Sequence, residues 1–248
     1  MKSYGKTHVG MQRSINQDYI YYTDDIVGNL KNLYIVADGM GGHRAGDKAS
    51  SFAVNRFVEL AKENENEDSF FIMKEVLTQV NRELIELAAS EEEFHGMGTT
   101  FVAATVDEEE ICVVNIGDSR LYLYSDNLRQ ITLDHSLVEE LLRAGQIEKS
   151  RAKNHPQKNI ITKALGASLS MEPDFFKVEW KIGDKVLLCS DGLSNMVDDD
   201  EIEEILAADS DEGKIVTQLV DQANYYGGLD NIATVIIIND LMGERGER

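Results

Sequence analysis

Two apolar runs in this chain close on the same pair of residues. Tyr34-Ile35-Val36-Ala37 runs into Asp38-Gly39, and Val186-Leu187-Leu188-Cys189-Ser190 runs into Asp191-Gly192. A short apolar run bounded by turn residues reads as a buried strand. A carboxylate at the end of such a strand is held in a fixed place, and a following glycine lets backbone approach whatever the carboxylate holds. The plain alternative for each pair is a turn. Whether other segments bring further carboxylates to the same strand ends separates the two readings.

Two more aspartates have that position. Asp118 follows the apolar run 111–116 and Gly117, and Asp230 precedes the apolar run 232–238 after Gly227-Gly228. Sheet ends are rigid platforms, and carboxylates clustered there must be neutralised by protons or cations. Oxygen ligands without His or Cys partners favour Mg²⁺ or Mn²⁺. A divalent-metal site and a set of hydrogen-bonded turns both stay open at this point.

The remaining pattern supplies the scaffold. Weak strand character over 1–9 and a loop through Arg13 lead to an aromatic strand at 19–23. Helical spacing follows over 46–62, and again after 63–68, where Met73, Val76, Leu77, Val80, Leu84 and Leu87 form a core-facing stripe. Strands at 98–106, 111–116, 121–124 and 128–133 are joined by short turns, which suggests antiparallel pairing. Ser136-Leu137-Val138-Glu139 is a capping box that opens a short helix ending at Ala144-Gly145. A polar segment with Lys149, Arg151, Lys153, His155 and Lys158 follows, either a solvated loop or a lid facing an anionic substrate. Strands at 175–180 and 185–190, helices at 200–207 and 211–225, and a strand at 232–238 complete the chain, without an internal repeat.

Composition excludes several classes. The 248 residues allow one large domain or two small ones, and two prolines leave little room for long linkers. Net charge −21 disfavours binding to nucleic acid and to anionic membrane surfaces, although much of it serves solubility. Cys112 and Cys189 sit in apolar runs and read as buried thiols without metal spacing or a disulfide framework, which fits a reducing compartment. The first residues lack a hydrophobic signal core, and the longest apolar run, 233–238, is too short to cross a bilayer. Cytoplasmic location without membrane insertion is the expectation.

Eight short motifs occur in one order. They are Arg13-Ser14-Ile15-Asn16-Gln17-Asp18, Asp38-Gly39-Met40-Gly41-Gly42-His43, Gly96-Met97-Gly98-Thr99-Thr100, Gly117-Asp118-Ser119-Arg120, Asp134-His135-Ser136-Leu137, His155-Pro156-Gln157-Lys158-Asn159, Ser190-Asp191-Gly192-Leu193 and Gly228-Leu229-Asp230-Asn231. In that order the chain resembles the metal-dependent serine/threonine protein phosphatases of type 2C, in their compact bacterial form, over about residues 3 to 238. The resemblance implies an α+β fold: a four-layer α-β-β-α sandwich of two largely antiparallel sheets flanked by helices. It implies a single catalytic domain over 1–241, a flap insert over about 134–165, and a polar tail over 242–248.

The resemblance also implies roles. Asp38 bridges two Mn²⁺ or Mg²⁺ ions, the Gly39 carbonyl completes one, and Asp191 and Asp230 hold the other. Asp118 with Asp191 matches a third, weaker ion, and Asp18 acts through metal-bound water. Arg13, otherwise an ordinary surface arginine, grips two phosphate oxygens with its planar fork. His43 is a candidate general acid for the leaving oxygen. Distant relatives place a histidine directly after the Asp-Gly pair, where this chain has Met40, so ordering of water is the alternative for His43. His8, His95, His135 and His155 are read as making structural hydrogen bonds. The first motif often ends Asn-Glu-Asp, and Gln17 removes a negative charge from it.

The implied activity is hydrolysis of phosphoserine and phosphothreonine in proteins. A phosphate dianion repels an anionic nucleophile unless cations intervene, and two metal ions roughly 3.5–4 Å apart lower the pKa of a bridging water. The hydroxide attacks in line and expels the alkoxide without a phosphoenzyme. Cys112 and Cys189 have no neighbouring cation in sequence to make a reactive thiolate, which agrees. Phosphoprotein substrates, a membrane serine/threonine kinase and that kinase's targets are the implied partners, and nothing suggests an obligate oligomer, so a monomer is expected. A silent relative would lack Asp38, Asp191, Asp230 or Arg13, and all are present. An acidic interaction protein, the other rival, would show no metal dependence.

Overall fold

The computed structural model describes residues 1–42, 45–152 and 155–240. The general-acid candidate His43, the basic residue Lys153 and the tail 242–248 lie outside the described residues, as does the side chain of Lys149. The first part of the chain forms β1 (Lys2–His8), β2 (Asp18–Thr23), β3 (Leu33–Met40), α1 (Ala45–Glu63), α2 (Ser69–Ser90), β4 (Gly98–Thr99), β5 (Phe101–Val106), β6 (Glu110–Ile116), β7 (Arg120–Tyr124) and β8 (Leu128–Gln130). The second part forms α3 (Leu137–Arg143), α4 (Lys149–Ala152), β9 (Asp174–Glu179), β10 (Lys185–Cys189), α5 (Asp191–Ser194), α6 (Asp199–Ala207), α7 (Glu212–Tyr225) and β11 (Ile232–Ile238).

The strands make two antiparallel sheets. One has the order β1-β11-β10-β7-β8, the other β2-β3-β5-β6-β9, with β4 paired to the end of β3. Side chains alternate across each strand, so each sheet has two faces to bury. In β3, Leu33, Ile35 and Ala37 pack against α1 and α2, while Tyr34 and Val36 face the other sheet. In β11, Ala233, Val235 and Ile237 face between the sheets, while Ile232 and Ile236 pack with α6 and α7. Burial on both faces explains why these strands read as continuous apolar runs. The result is the expected four-layer sandwich, helices outside and sheets within.

Local chemistry sets the element ends. Asp68 caps α2 by accepting from Phe71 N at 3.1 Å, and Ser136 caps α3 by accepting from Glu139 N at 3.3 Å. The stripe Met73, Val76, Leu77, Val80 and Leu84 is buried as expected, with Ile72 joining it. Leu87 is only partly buried at its edge.

Three boundaries differ from expectation. β3 runs through Asp38 to Met40, because Gly39 and Met40 pair with Thr99 and Gly98 of β4. The strand expected over 98–106 breaks at Thr100, whose N–H turns to Asp38 O at 2.9 Å. β8 stops at Gln130, since beyond it the Thr132 hydroxyl takes the Leu121 N–H at 3.0 Å in place of a ladder bond. Asp191-Gly192 also departs from a simple turn, for Asp191 is the first residue of the helical turn α5. No helix among the described residues is long and apolar enough to cross a membrane.

Candidate active site

The alternation of β3 carries Asp38 to the same face as Tyr34 and Val36, the face between the sheets. Asp18 is its register partner on β2. Ser190 ends the β10 run on the opposite sheet. Its hydroxyl donates to Asp18 Oδ2 at 2.7 Å and accepts from Ala233 N at 2.9 Å, so it ties the two sheets together at the carboxylate end. The backbone of Asp38 is held on both sides. Its N–H donates to Thr100 Oγ1 at 2.9 Å, and its carbonyl accepts from Thr99 Oγ1 at 2.9 Å and Thr100 N at 2.9 Å.

The other carboxylates arrive from separate elements. Asp191 opens α5, and its Oδ2 accepts from Asn195 Nδ2 at 2.9 Å. Asp118 follows Gly117, whose φ of +105° and approach to Thr100, 2.6 Å from where a Cβ would lie, require glycine. Asp230 accepts from Asn231 N at 2.8 Å through Oδ1 and from Arg13 Nη2 at 2.8 Å through Oδ2. That ion pair is solvent-exposed, so it binds Arg13 weakly and leaves it free to engage another anion.

These groups sense one another. Burial and then the charges of Asp18, Asp191, Asp118 and Asp230 push the Asp38 carboxyl well above the usual carboxylate range. Burial pushes Asp18 up to about 8, against the Ser190 hydrogen bond and reinforced by Asp191 and Asp230. Asp118 rises to about 8 through burial and then the charges of Asp191 and Asp134. Asp191 rises to about 6 through burial and then Asp230. Without cations Asp18, Asp38 and Asp118 therefore tend to hold protons at neutral pH, while Asp191 ionises first. Among the described residues no N–H or hydroxyl meets Asp18 Oδ1, Asp118 Oδ1 or Asp191 Oδ1, all of them buried, and Asp18 and Asp191 have only the Asp38 carboxyl beside them as a side-chain partner within the cluster's own acids. Buried acceptors need a donor, a cation or water, and an all-oxygen set suits a hard divalent ion. Among the described residues no three His, Cys, Asp or Glu side chains are gathered closely enough to cage an ion alone. An ion held here draws on main-chain oxygen and water as well.

Several residues matter that sequence reasoning left without a role. Asn231 is buried; its Oδ1 accepts from Gln17 N at 2.8 Å, and its Nδ2 donates to Val9 O at 2.9 Å and Ile15 O at 3.0 Å. One side chain thus pins both flanks of the Arg13 loop. Gly46, in the first turn of α1, allows the helix to pack closely on Gly39 and Gln17, for a Cβ there would collide with the Gln17 side-chain amide and lie 2.6 Å from the Gly39 carbonyl oxygen. Arg120 grips Asp134 at 2.7–3.1 Å. The motifs contain Asn231, Arg120 and Asp134 but not Gly46, and only tertiary pairing reveals what each of them holds. Leu165 pairs with Thr99 at 2.9 and 3.1 Å, which returns segment 134–165 to the strand beside Gly39.

The other expectations have plain outcomes. Nδ1 of His8, His135 and His155 accepts from Gly10 N at 2.9 Å, Gly117 N at 3.1 Å and Gln157 N at 3.2 Å, while His95 is exposed. Cys112 and Cys189 are buried free thiols, pushed up to about 11 and about 12 by burial, so neither supplies a thiolate.

Comparison with known proteins agrees with this geometry. Residues 4–221 match the family described as Protein phosphatase 2C. The chain is 45% identical over 231 residues to the serine/threonine phosphatase stp of Listeria monocytogenes, covering 89% of this chain and 92% of that protein. The solved structure of serine/threonine phosphatase Stp1 from Staphylococcus aureus matches with a TM-score of 0.88 at 33% identity, over 95% of this chain and 93% of that one. The catalytic domain of serine/threonine protein phosphatase PstP, solved with two manganese ions, matches with a TM-score of 0.83 at 31% identity, over 95% and 96%. By its sequence and its fold, the chain belongs to the protein phosphatase 2C family of metal-dependent serine/threonine phosphoprotein phosphatases.

Proposed function

We propose that the carboxylates around Asp38 hold two or three Mn²⁺ or Mg²⁺ ions and that phosphoserine and phosphothreonine are hydrolysed beside them. The observation that carries this is the set of buried oxygens on Asp18, Asp118 and Asp191 that no described N–H or hydroxyl meets, within a cluster where burial and mutual repulsion push every carboxyl above its usual range. Asp38 with the Gly39 carbonyl, Asp191 and Asp230 would hold two ions, and Asp118 with Asp191 a third. Asp18, held by Ser190, acts through water. When bound, such ions acidify water and screen a phosphate dianion.

The chain's own groups supply positioning. Arg13 exchanges Asp230 for two phosphate oxygens, and its planar fork fixes their orientation. Asn231 holds the Arg13 loop in place, and the threonine bonds keep Asp38 from drifting. His43 is proposed as the proton donor to the leaving oxygen. The catalytic domain is proposed to span 1–241, acting in the cytoplasm as a monomer. Its substrates must be made by a serine/threonine kinase, and a membrane kinase with that kinase's targets is the proposed partner set.

The test is hydrolysis of a phosphothreonine peptide with Mn²⁺, with chelator, and by Asp38→Ala and Asp191→Ala. Chelation and each substitution are expected to lower the rate at least about a hundredfold. Unchanged rates under chelation would overturn the metal reading.

A further inference from the structure

His135 holds both main-chain polar groups of the residue that precedes Asp118. Gly117 N donates to its Nδ1 at 3.1 Å, and its own N–H donates to Gly117 O at 2.9 Å. An amide N–H only donates, so Nδ1 carries the lone pair and the ring proton sits on Nε2. Nε2 lies 3.2 Å from Asp174 Oδ2 on the edge strand β9. The preceding residue, Asp134, clamps Arg120 on the other side of Asp118, with contacts of 2.7–3.1 Å. The turn that carries Asp118 is therefore fastened at both ends by two consecutive residues.

Those residues are also the root of segment 134–165. Thr162 N donates to His135 O at 2.8 Å, and Ser136 both bridges to Ile161 and caps α3. Asp118 Oδ1 has no donor among the described residues to orient it, so the aim of that oxygen is set by its backbone. Gly117 has no side chain with which to anchor that backbone, and the imidazole takes over that task.

We propose that His135 is a positioning residue that aims Asp118 at its ion and couples that aim to segment 134–165. The inference rests on the reading of Asp118 as a metal ligand. The Asp174 carboxylate lies near the protonated nitrogen without an aligned hydrogen bond, so the tautomer rests on the Gly117 N–H at Nδ1.

The experiment compares His135→Ala, His135→Gln and His135→Asn in the full chain, with Asp118→Asn as control. Three quantities are read: the Mn²⁺-induced shift in melting temperature, the Mn²⁺ concentration for half-maximal phosphopeptide hydrolysis, and the exchange rate of the Gly117 amide in metal-free protein. His135→Gln places its amide oxygen near the Nε2 position and His135→Asn near the Nδ1 position. The expected result is a rise of about tenfold or more in half-saturating Mn²⁺ for the Ala and Gln variants. Their Gly117 amide exchanges faster, kcat at saturating Mn²⁺ changes little, and His135→Asn restores near-normal behaviour. An unchanged Mn²⁺ response in His135→Gln, or His135→Asn as impaired as His135→Gln, would overturn the proposal; this pair decides even if His135→Ala does not fold. If Asp118→Asn also leaves the Mn²⁺ response unchanged, the ligand reading is what fails and the coupling to the ion falls with it. The Gly117 exchange rate then shows separately whether His135 held the turn.

Discussion

Asp18 stands directly opposite Asp38 in the β2–β3 ladder, with both carboxyls on the face between the sheets. Like charges directly opposed on neighbouring strands destabilise a sheet. Ser190 meets one of them with a 2.7 Å hydrogen bond from the other sheet, and burial keeps both protonated when no cation is near.

The pairing sets the pH dependence of the metal-free protein. Asp18 and Asp118 titrate near 8 and Asp191 near 6 when folded, against 3.8 as the ordinary value. Between those limits the folded state binds more protons than the unfolded one, so stability falls as pH rises. The contribution is fully present below about pH 4 and lost by about pH 8. Glu83, Asp211 and Asp240, lowered by their bonds to Arg56, Lys214 and Lys2, act in the opposite sense only at lower pH, and His135, lowered from 6.5 by burial, opposes the decline as one group against the several raised carboxyls. In chelator the melting temperature should therefore decline from pH 5 to pH 8, and Mn²⁺ should abolish the decline. Thermal denaturation by circular dichroism checks this, and a flat or rising curve in chelator contradicts it.

Replacing Arg13 should separate activity from stability. Its bond to Asp230 is exposed, so Arg13→Ala should change unfolding free energy by no more than about 0.5 kcal/mol. The same change should lower kcat/KM for a phosphopeptide about ten- to a hundredfold, as expected for loss of a charge-assisted contact of about 1.5–3 kcal/mol. Arg13→Lys should recover only part, because an ammonium has no fork. Steady-state kinetics beside urea denaturation decide; equal kinetics for Arg13→Ala and the unaltered protein would remove Arg13 from substrate binding.

Asn231 should behave oppositely. Asn231→Ala strips partners from Gln17 N, Val9 O and Ile15 O at once, and about 3 kcal/mol of stability should go with them. Asn231→Asp keeps an acceptor for Gln17 but turns a carboxylate toward two carbonyls, so it should be no milder. A loss under about 0.5 kcal/mol in urea titration would mean the Arg13 loop is held elsewhere.

Two glycines give a matched contrast. A Cβ on Gly192 would fall 1.8 Å from the Asn231 carbonyl oxygen, a backbone atom, whereas a Cβ on Gly42 meets nothing within 4 Å among the described residues. Gly192→Ala should destabilise by about 3 kcal/mol or prevent folding, and Gly42→Ala should be close to neutral. Melting temperatures of the two variants side by side test the difference.

Much of this was legible in the chain. Runs such as 34–37 and 186–189 announce strands because burial on both faces leaves little room for polar positions, and Asp38 and Asp191 mark where those strands reach the candidate site. Other features were not legible for a definite reason. The continuation of β3 past Asp38 depends on β4, which is about sixty residues away in sequence and only two residues long. Asn231 reads as one polar residue in a turn, and its three bonds run to residues more than two hundred positions earlier. Gly46 looks like an ordinary weak point in a helix until the Gly39 carbonyl lies beneath it. Contacts that only the assembled fold creates leave no periodic trace.

β1 and β11 lie side by side in full register, Lys2 against Ile238 through His8 against Ile232. This pairing places the Arg13 loop against Asp230 and Asn231. During synthesis, the ribosome therefore delivers Asp18, Asp38 and Asp118 well before the residues that finish the site. A nascent chain can gather this set of carboxylates only after Asp230 has emerged, so the two ends of the fold close the cluster last.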